Sequence, residues 1–139
     1  EPAILGRARL LRKGEQIAVI GTGEIANEIL KALKQLELEK IFPVAYQMHT
    51  VKPLDTDTLD ILSKEFHTLI VVEEHVPNGG LWAAINAWRA NHEKATRLLR
   101  LGPPDSFALG NLKQNELRRR LNYDANAIAN TCRSLWKKK

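Results

Sequence analysis

Two carboxylates and an imidazole stand next to each other at residues 73–75, directly after an apolar run at residues 69–72. A histidine titrates near neutrality, and a neighbouring carboxylate raises its pKa, so Glu73, Glu74 and His75 have the composition of an acid/base cluster. A pair of carboxylates is also what a glycosidase uses. As a metal site the pattern is weak, because no second His or Cys stands at ligand spacing.

Adjacent residues of an extended chain point to opposite faces, so Glu73 and Glu74 are not expected to act together on one bond. We therefore favour hydrogen bonding at a domain surface over direct catalysis for the cluster. Asn78 is a candidate helix cap, and Gly79 and Gly80 permit close approach by another backbone or an anion at the amino end of the helix. Residues 73–75 and 78–80 together form a candidate anion or domain-interface site.

A second candidate site is the stretch Gly21-Thr22-Gly23-Glu24-Ile25-Ala26, which fits the G-x-G-x-x-A fingerprint between a predicted strand and a predicted helix. The fingerprint also requires an acid at the end of the next strand to hold the ribose hydroxyl. The sequence at residues 46–49 offers none. We prefer a tight strand-to-helix turn, with a small dinucleotide-binding module as the alternative.

The elements that position these residues alternate between strand and helix. Strands are predicted at residues 6–11, 16–20, 42–48, 68–72 and 96–101, and helices at residues 24–37, 57–66, 79–92, 113–121 and 126–136. Asp55 or Thr56 is expected to cap the second helix. The alternation predicts a three-layer αβα sandwich around a mostly parallel sheet of about five strands, with one antiparallel edge strand. The 139 residues suffice for one domain.

Composition excludes several classes of protein. No apolar run reaches the ~18 residues that a membrane span needs, and Cys132, the sole cysteine, cannot form an internal disulfide, which fits a reducing, cytoplasmic compartment. Residues 113–139 hold eight Lys or Arg against two acids. Without interleaved aromatic residues we interpret this as a solvated helix face rather than a nucleic-acid site. The chain opens at Glu1 without an initiator Met, so we expect a piece of a longer protein or a processed product.

Several short motifs occur in an order typical of one family. The strongest is Val71-Val72-Glu73-Glu74-His75 followed by Gly79-Gly80. The others are Gly6-x-Ala8 with Leu10-x-x-Lys13-Gly14, Ile17-Ala18-Val19-Ile20 with Gly23, Val51-Lys52-Pro53-Leu54-Asp55, and Arg100-x-Gly102-x-x-Asp105-x-Phe107-x-x-Gly110. In this order they resemble the C-terminal domain of the transketolase family, which includes transketolase, 1-deoxyxylulose-5-phosphate synthase and the beta subunits of 2-oxo-acid dehydrogenases. The chain departs from the family pattern at Trp82 and at residues 123–126.

The resemblance implies a role within a larger enzyme. Such enzymes use thiamine diphosphate and Mg²⁺, which are held by a pyrimidine-binding and a diphosphate-binding domain, while the C-terminal domain packs against them and helps form a homodimer. The chain lacks the family's Gly-Asp-Gly…Asn metal-diphosphate motif. We therefore expect that alone it neither binds the cofactor nor catalyses. The cofactor performs the difficult chemistry in these enzymes.

Overall fold

The computed structural model describes residues 6–48, 53–74, 80–90, 96–104 and 113–138. These residues form five strands and five helices. In chain order they are β1 (Ala8–Arg12), β2 (Ile17–Gly21), α1 (Ile25–Glu37), β3 (Val44–Met48), α2 (Thr56–Glu65), β4 (Thr68–Val72), α3 (Leu81–Ala90), β5 (Arg97–Leu101), α4 (Gln114–Arg120) and α5 (Ala125–Leu135).

The five strands form one mixed sheet in the order β1-β3-β2-β4-β5. Strand β1 pairs with β3 in the antiparallel sense, and the other three pairings are parallel. The register of β1 shifts between Leu10 and Arg12, which marks an irregularity at this edge. The predicted architecture, with its single antiparallel edge strand, is confirmed.

Helices cover both faces of the sheet, because β2 and β4 are buried on both sides and alternate residues need partners above and below. On one face Ile29 and Leu33 of α1 and Ile128 of α5 pack against Val19 and Ile70. On the other face α2 and α3 cover the alternate residues through Leu59, Leu62, Leu81, Ile85 and Trp88. The chain is thus an αβα sandwich.

Local hydrogen bonds decide where helices begin. The Asp55 carboxylate accepts from the Thr58 amide at 3.0 Å, so Asp55 is the cap of the two predicted candidates and α2 begins at Thr56, one residue before the predicted start. The Asp124 carboxylate accepts from the Ala127 amide at 2.9 Å, and α5 accordingly begins one residue before the predicted start.

Lys137, near the end of the described residues, is hydrogen-bonded to Gln16, the residue before β2. Gln16, whose φ of 65° lies in the left-handed region, donates from its side-chain amide to the Lys137 carbonyl at 2.8 Å and accepts from the Lys137 amide at 2.8 Å. The Gln16 carbonyl also accepts from the His67 amide at 2.9 Å, immediately before β4. Residues far apart in sequence therefore meet at the amino edge of the parallel strands.

Candidate docking site at the carboxyl edge of the sheet

Strand β4 ends at a polar residue that is as buried as the strand itself. The side chain of Glu73 is 0% exposed, and its backbone amide donates to the Leu101 carbonyl of β5 at 3.1 Å. Because β2, β4 and β5 are parallel, their carboxyl ends meet at one edge of the sheet. In open α/β sheets this edge is where ligands and partners are met.

Both carboxylate oxygens of Glu73 are used inside the domain. Oε2 accepts from Nε of Arg100 at 2.7 Å, and Oε1 accepts from the Trp82 amide in the first turn of α3 at 3.2 Å. Arg100 also donates through Nη1 to the Pro103 carbonyl at 2.8 Å. A buried charge must be paired and hydrogen-bonded to be tolerated, and Glu73 meets both conditions.

Sheet register explains how Arg100 reaches Glu73. Arg100 lies opposite Val71 in the β4–β5 pairing, and side chains of opposite residues share a face. Two residues after Val71, Glu73 returns to that same face, where α3 also packs. Gly102 completes the arrangement, since a Cβ there would lie 2.5 Å from the Glu73 carbonyl oxygen and 3.0 Å from Nη2 of Arg100.

Glu74 turns to the opposite side, as the extended backbone predicts. Its carboxylate accepts from Nε of Arg118 in α4. Nη1 of Arg118 lies 4.0 Å from Oε2 of Glu28 in α1. Burial alone lowers the pKa of Arg118, but the hydrogen bond and charge of Glu74 outweigh it and raise the pKa above its ordinary value. Glu74 and Arg118 thus join β4 to the α1 face of the sheet.

Tyr123 lies next to this ion pair. Its side chain is 0% exposed, and among the described residues its hydroxyl has no hydrogen-bond partner. Burial and then the charge of Glu74 raise the pKa of Tyr123 above its ordinary value. The phenol therefore stays protonated at neutral pH.

The predicted site is described only in part. Glu73, Glu74 and Gly80 lie within the described residues, whereas His75, Asn78 and Gly79 lie outside them. The Gly80 carbonyl accepts from the Ala84 amide at 3.2 Å, at the start of α3. The Trp82 amide is already bonded to Glu73, so an anion at this helix end would compete with an internal carboxylate.

The partners of the two glutamates were not predicted. Arg100 lies among the apolar residues Leu98, Leu99 and Leu101 of β5, and a charge in such a stretch is a signal that an acid lies nearby. Arg118 has no such signal, because it stands in a run of three arginines that is typical of a solvated helix face. Only the tertiary structure distinguishes Arg118 from its neighbours.

The fingerprint from Gly21 to Ala26 forms the turn between β2 and α1. A Cβ on Gly21 would lie 2.6 Å from Cδ1 of Ile29 and 2.7 Å from Cγ2 of Ile25, so the glycine permits α1 to pack closely on the strand. Gly23 has a φ of 57°, and its carbonyl accepts from the Gln47 side chain at 3.1 Å. Close packing accounts for Gly21 without a cofactor.

The part of the chain that the structure describes contains neither a cluster of potential metal ligands nor a helix that could span a membrane. Its residues bring together no group of three His, Cys, Asp or Glu side chains that could hold a metal ion. Its helices are also too short or too polar to cross a bilayer.

The chain is an α/β domain built on a mixed β1-β3-β2-β4-β5 sheet, with a buried acid–arginine pair at its carboxyl edge. The family model of the transketolase C-terminal domain matches residues 6–128, and the chain belongs to this family. A solved structure titled "Split gene transketolase, inactive beta4 tetramer" shares the fold, with a TM-score of 0.82 at 23% identity over 94% of this chain and 42% of that one.

Curated relatives of the chain include 1-deoxy-D-xylulose-5-phosphate synthases. The synthase of Cytophaga hutchinsonii is 31% identical over 97% of this chain and 21% of its own length. That of Porphyromonas gingivalis is 35% identical over 74% of this chain and 16% of its own length. That of Chlorobaculum tepidum is 27% identical over 99% and 22%. The chain therefore spans about a fifth of the length of the relatives it matches.

Proposed function

We propose that this chain is the C-terminal domain, or a separate C-terminal subunit, of a thiamine-diphosphate-dependent enzyme of the 1-deoxyxylulose-5-phosphate synthase or transketolase type. In this role it packs against the pyrimidine-binding and diphosphate-binding domains and supports a homodimer in the cytoplasm. Membership of the family and the similarity to synthases support the assignment.

The burial and the hydrogen bonds of Glu73 are the observation that supports a packing role. It is fully buried, and Arg100 and the Trp82 amide use both of its oxygens. Glu74 is likewise bonded to Arg118. A general acid or base must reach a substrate proton, and a metal ligand must offer a lone pair. These carboxylates instead hold β4, α3, β5 and α4 together behind the edge that meets the neighbouring domains.

The described residues do not fit thiamine diphosphate and its metal. A diphosphate-bound Mg²⁺ needs carboxylate or carbonyl oxygens that face the ion. The two carboxylates at the edge are each paired with an arginine, and no group of three potential metal ligands occurs among the residues described. When bound in such enzymes, the cofactor supplies the carbanion chemistry. We assign its binding to the other domains.

A nucleic-acid role is not favoured by the basic C-terminal region. Two of its arginines are engaged by acids from elsewhere in the chain, Arg118 by Glu74 and Arg133 by Glu39. Nε of Arg133 donates to both Glu39 oxygens at 2.8 Å, joining α5 to the residues that follow α1. This arrangement supports a role in packing the helices.

Two measurements test the proposal. Isothermal titration of the chain with thiamine diphosphate and Mg²⁺ should give no binding heat, and micromolar binding would contradict the proposed division of labour. In the Cytophaga hutchinsonii synthase, replacing the matching region by this chain should retain the dimer and thiamine-diphosphate-dependent turnover. Deleting that region should abolish both.

A matched variant sharpens the replacement experiment. Arg100→Met inside the transplanted chain removes the partner of Glu73, so assembly should weaken although no residue of the cofactor site has changed. A chimaera that fails to assemble with the unmodified chain contradicts the proposal.

A further inference from the structure

The carboxylate of Asp55 joins two parts of the chain. Oδ1 accepts from the Thr58 amide at 3.0 Å and caps α2. Oδ2 accepts from the Thr58 hydroxyl at 2.6 Å and from the Ala8 amide at 2.7 Å, across 47 residues of sequence. The cap alone would need one oxygen, and the second oxygen holds the first residue of β1.

A second contact holds the same approach to β1. Gly6 has a φ of 76°, and a Cβ there would lie 3.1 Å from Cγ of Pro53. The backbone that leads into β1 therefore turns in the left-handed region and runs against the Pro53 ring. Pro53 and Asp55 stand two residues apart, so one short segment contacts the approach at Gly6 and at Ala8.

The lowered pKa of Asp55 is consistent with its carboxylate accepting hydrogen bonds from both Thr58 and Ala8. Burial alone would raise the pKa of its carboxyl, but the bonds from Thr58 and Ala8 and the charge of Arg7 outweigh burial and lower the pKa. The carboxylate is thus ionised at neutral pH, when it is an acceptor through both oxygens.

We propose that Asp55 is a positioning residue that fixes the direction in which the polypeptide enters this domain. This inference rests on the proposed function, in which the preceding domain is joined at the amino side of β1. The Ala8–Asp55 bond and the Gly6–Pro53 contact then set the orientation of that domain relative to the sheet. The partner of this site is accordingly the interdomain segment of the same polypeptide.

Three variants of the chain separate the Ala8–Asp55 hydrogen bond, which we call the anchor, from the cap on α2. Asp55→Ala removes both acceptors. Asp55→Asn keeps one carbonyl oxygen for the Thr58 amide, but its NH₂ group cannot accept from Ala8. Thr58→Val keeps the carboxylate and removes a hydroxyl donor, so it is the matched control. Circular dichroism first establishes that each variant is folded.

Hydrogen exchange of single amides, followed by NMR, is the measurement. The Ala8 amide should exchange about tenfold faster in Asp55→Ala and Asp55→Asn than in the unmodified chain, as expected for one lost bond to a charged acceptor. It should be unchanged in Thr58→Val. The amide of residue 58 should exchange faster in Asp55→Ala alone. Equal Ala8 exchange in the folded Asp55→Ala variant and the unmodified chain would overturn the anchor.

The orientation is tested in the Cytophaga hutchinsonii chimaera by the spread of distances between spin labels on the two sides of the junction. Asp55→Asn should broaden that spread, whereas Thr58→Val should not, and an unbroadened Asp55→Asn spread would overturn the interdomain role. A chimaera with the unmodified chain that fails to assemble overturns the proposed function, and the Ala8 exchange still decides the anchor.

Discussion

Oε1 of Glu28 in α1 accepts a hydrogen bond from the backbone amide of Ala125, 97 residues away, at 3.2 Å. This amide belongs to the first residue of α5 and would otherwise have no partner inside its own helix. Oε2 of Glu28 accepts from Lys31 at 3.1 Å and lies near Arg118. One buried carboxylate thus joins α1, α4 and α5.

We expect Glu28→Ala to lower the free energy of unfolding by about 2 kcal/mol, because the amide of a buried helix end loses its acceptor. Glu28→Gln retains an acceptor and should cost about half as much. Urea unfolding followed by circular dichroism measures both. If the two variants are equally destabilised, the charge of Glu28 matters and its bond to Ala125 does not.

The Glu73–Arg100 pair should show strong coupling in a double-mutant cycle. Glu73→Gln and Arg100→Met each leave one buried charge without its ion-pair partner. We expect each variant to lower the free energy of unfolding by about 3–5 kcal/mol. The double variant should cost clearly less than the sum of the two, because neither charge is then left alone. The exposed pair Glu39 and Arg133 is the control and should couple far more weakly. Additive effects at residues 73 and 100 would contradict the pairing.

Gly21→Ala tests whether packing or a cofactor explains the glycine. The added methyl group meets Ile29, so we expect a cost of about 1–3 kcal/mol. Ile29→Val, which removes Cδ1, should relieve part of it. Gly23→Ala is the control: a Cβ there meets open space, and its backbone cost at positive φ should not respond to Ile29→Val.

The same preparations test the alternative interpretation of this turn. Titration with NADH should give no saturable fluorescence change with the unmodified chain. A saturable signal that Gly23→Val abolishes would favour dinucleotide binding.

Cys132 should not react with thiol reagents while the domain is folded. It is fully buried on α5, and burial raises the pKa of its thiol to about 12, so the thiolate is scarce at pH 8. We expect the rate of labelling by Ellman's reagent to follow the population of unfolded protein as urea is added. Rapid labelling in buffer alone would show that α5 separates from α1.

His67 should make stability depend on pH near neutrality. Burial, and then the charge of Lys137, lower the pKa of His67, so the fold favours the neutral imidazole. The contribution of His67 to the stability of the fold is fully present above its unfolded pKa of about 6.5. This contribution is lost as the pH falls from there towards the folded pKa. The free energy of unfolding should be measured for the unmodified chain and for His67→Gln at pH 7.5 and 5.5. The difference between the two proteins should be smaller at pH 5.5. A constant difference would refute this linkage.

Patterns with a local cause were predictable from the sequence. The apolar run of β4 predicted its burial, the capping pattern placed the start of α2 within one residue, and strand alternation predicted the divergence of Glu73 and Glu74. Contacts that depend on register and helix docking were not predictable. Arg100 meets Glu73 because β4 and β5 pair at Val71, and Arg118 differs from Arg119 and Arg120 only through the position of α4.

The hydrogen bonds between Lys137 and Gln16, together with the packing of α5 on α1, have a consequence for biosynthesis. The pair is separated by 121 residues, and α5 packs on α1 across a similarly long stretch. A ribosome delivers β1, β2 and β3 long before α5, so the surfaces of β2 and α1 that α5 covers stay exposed until α5 is translated. Loop-closure entropy makes such distant pairings slow to form, and translation that stops before α5 leaves a nascent polypeptide with apolar surface for chaperones to shield.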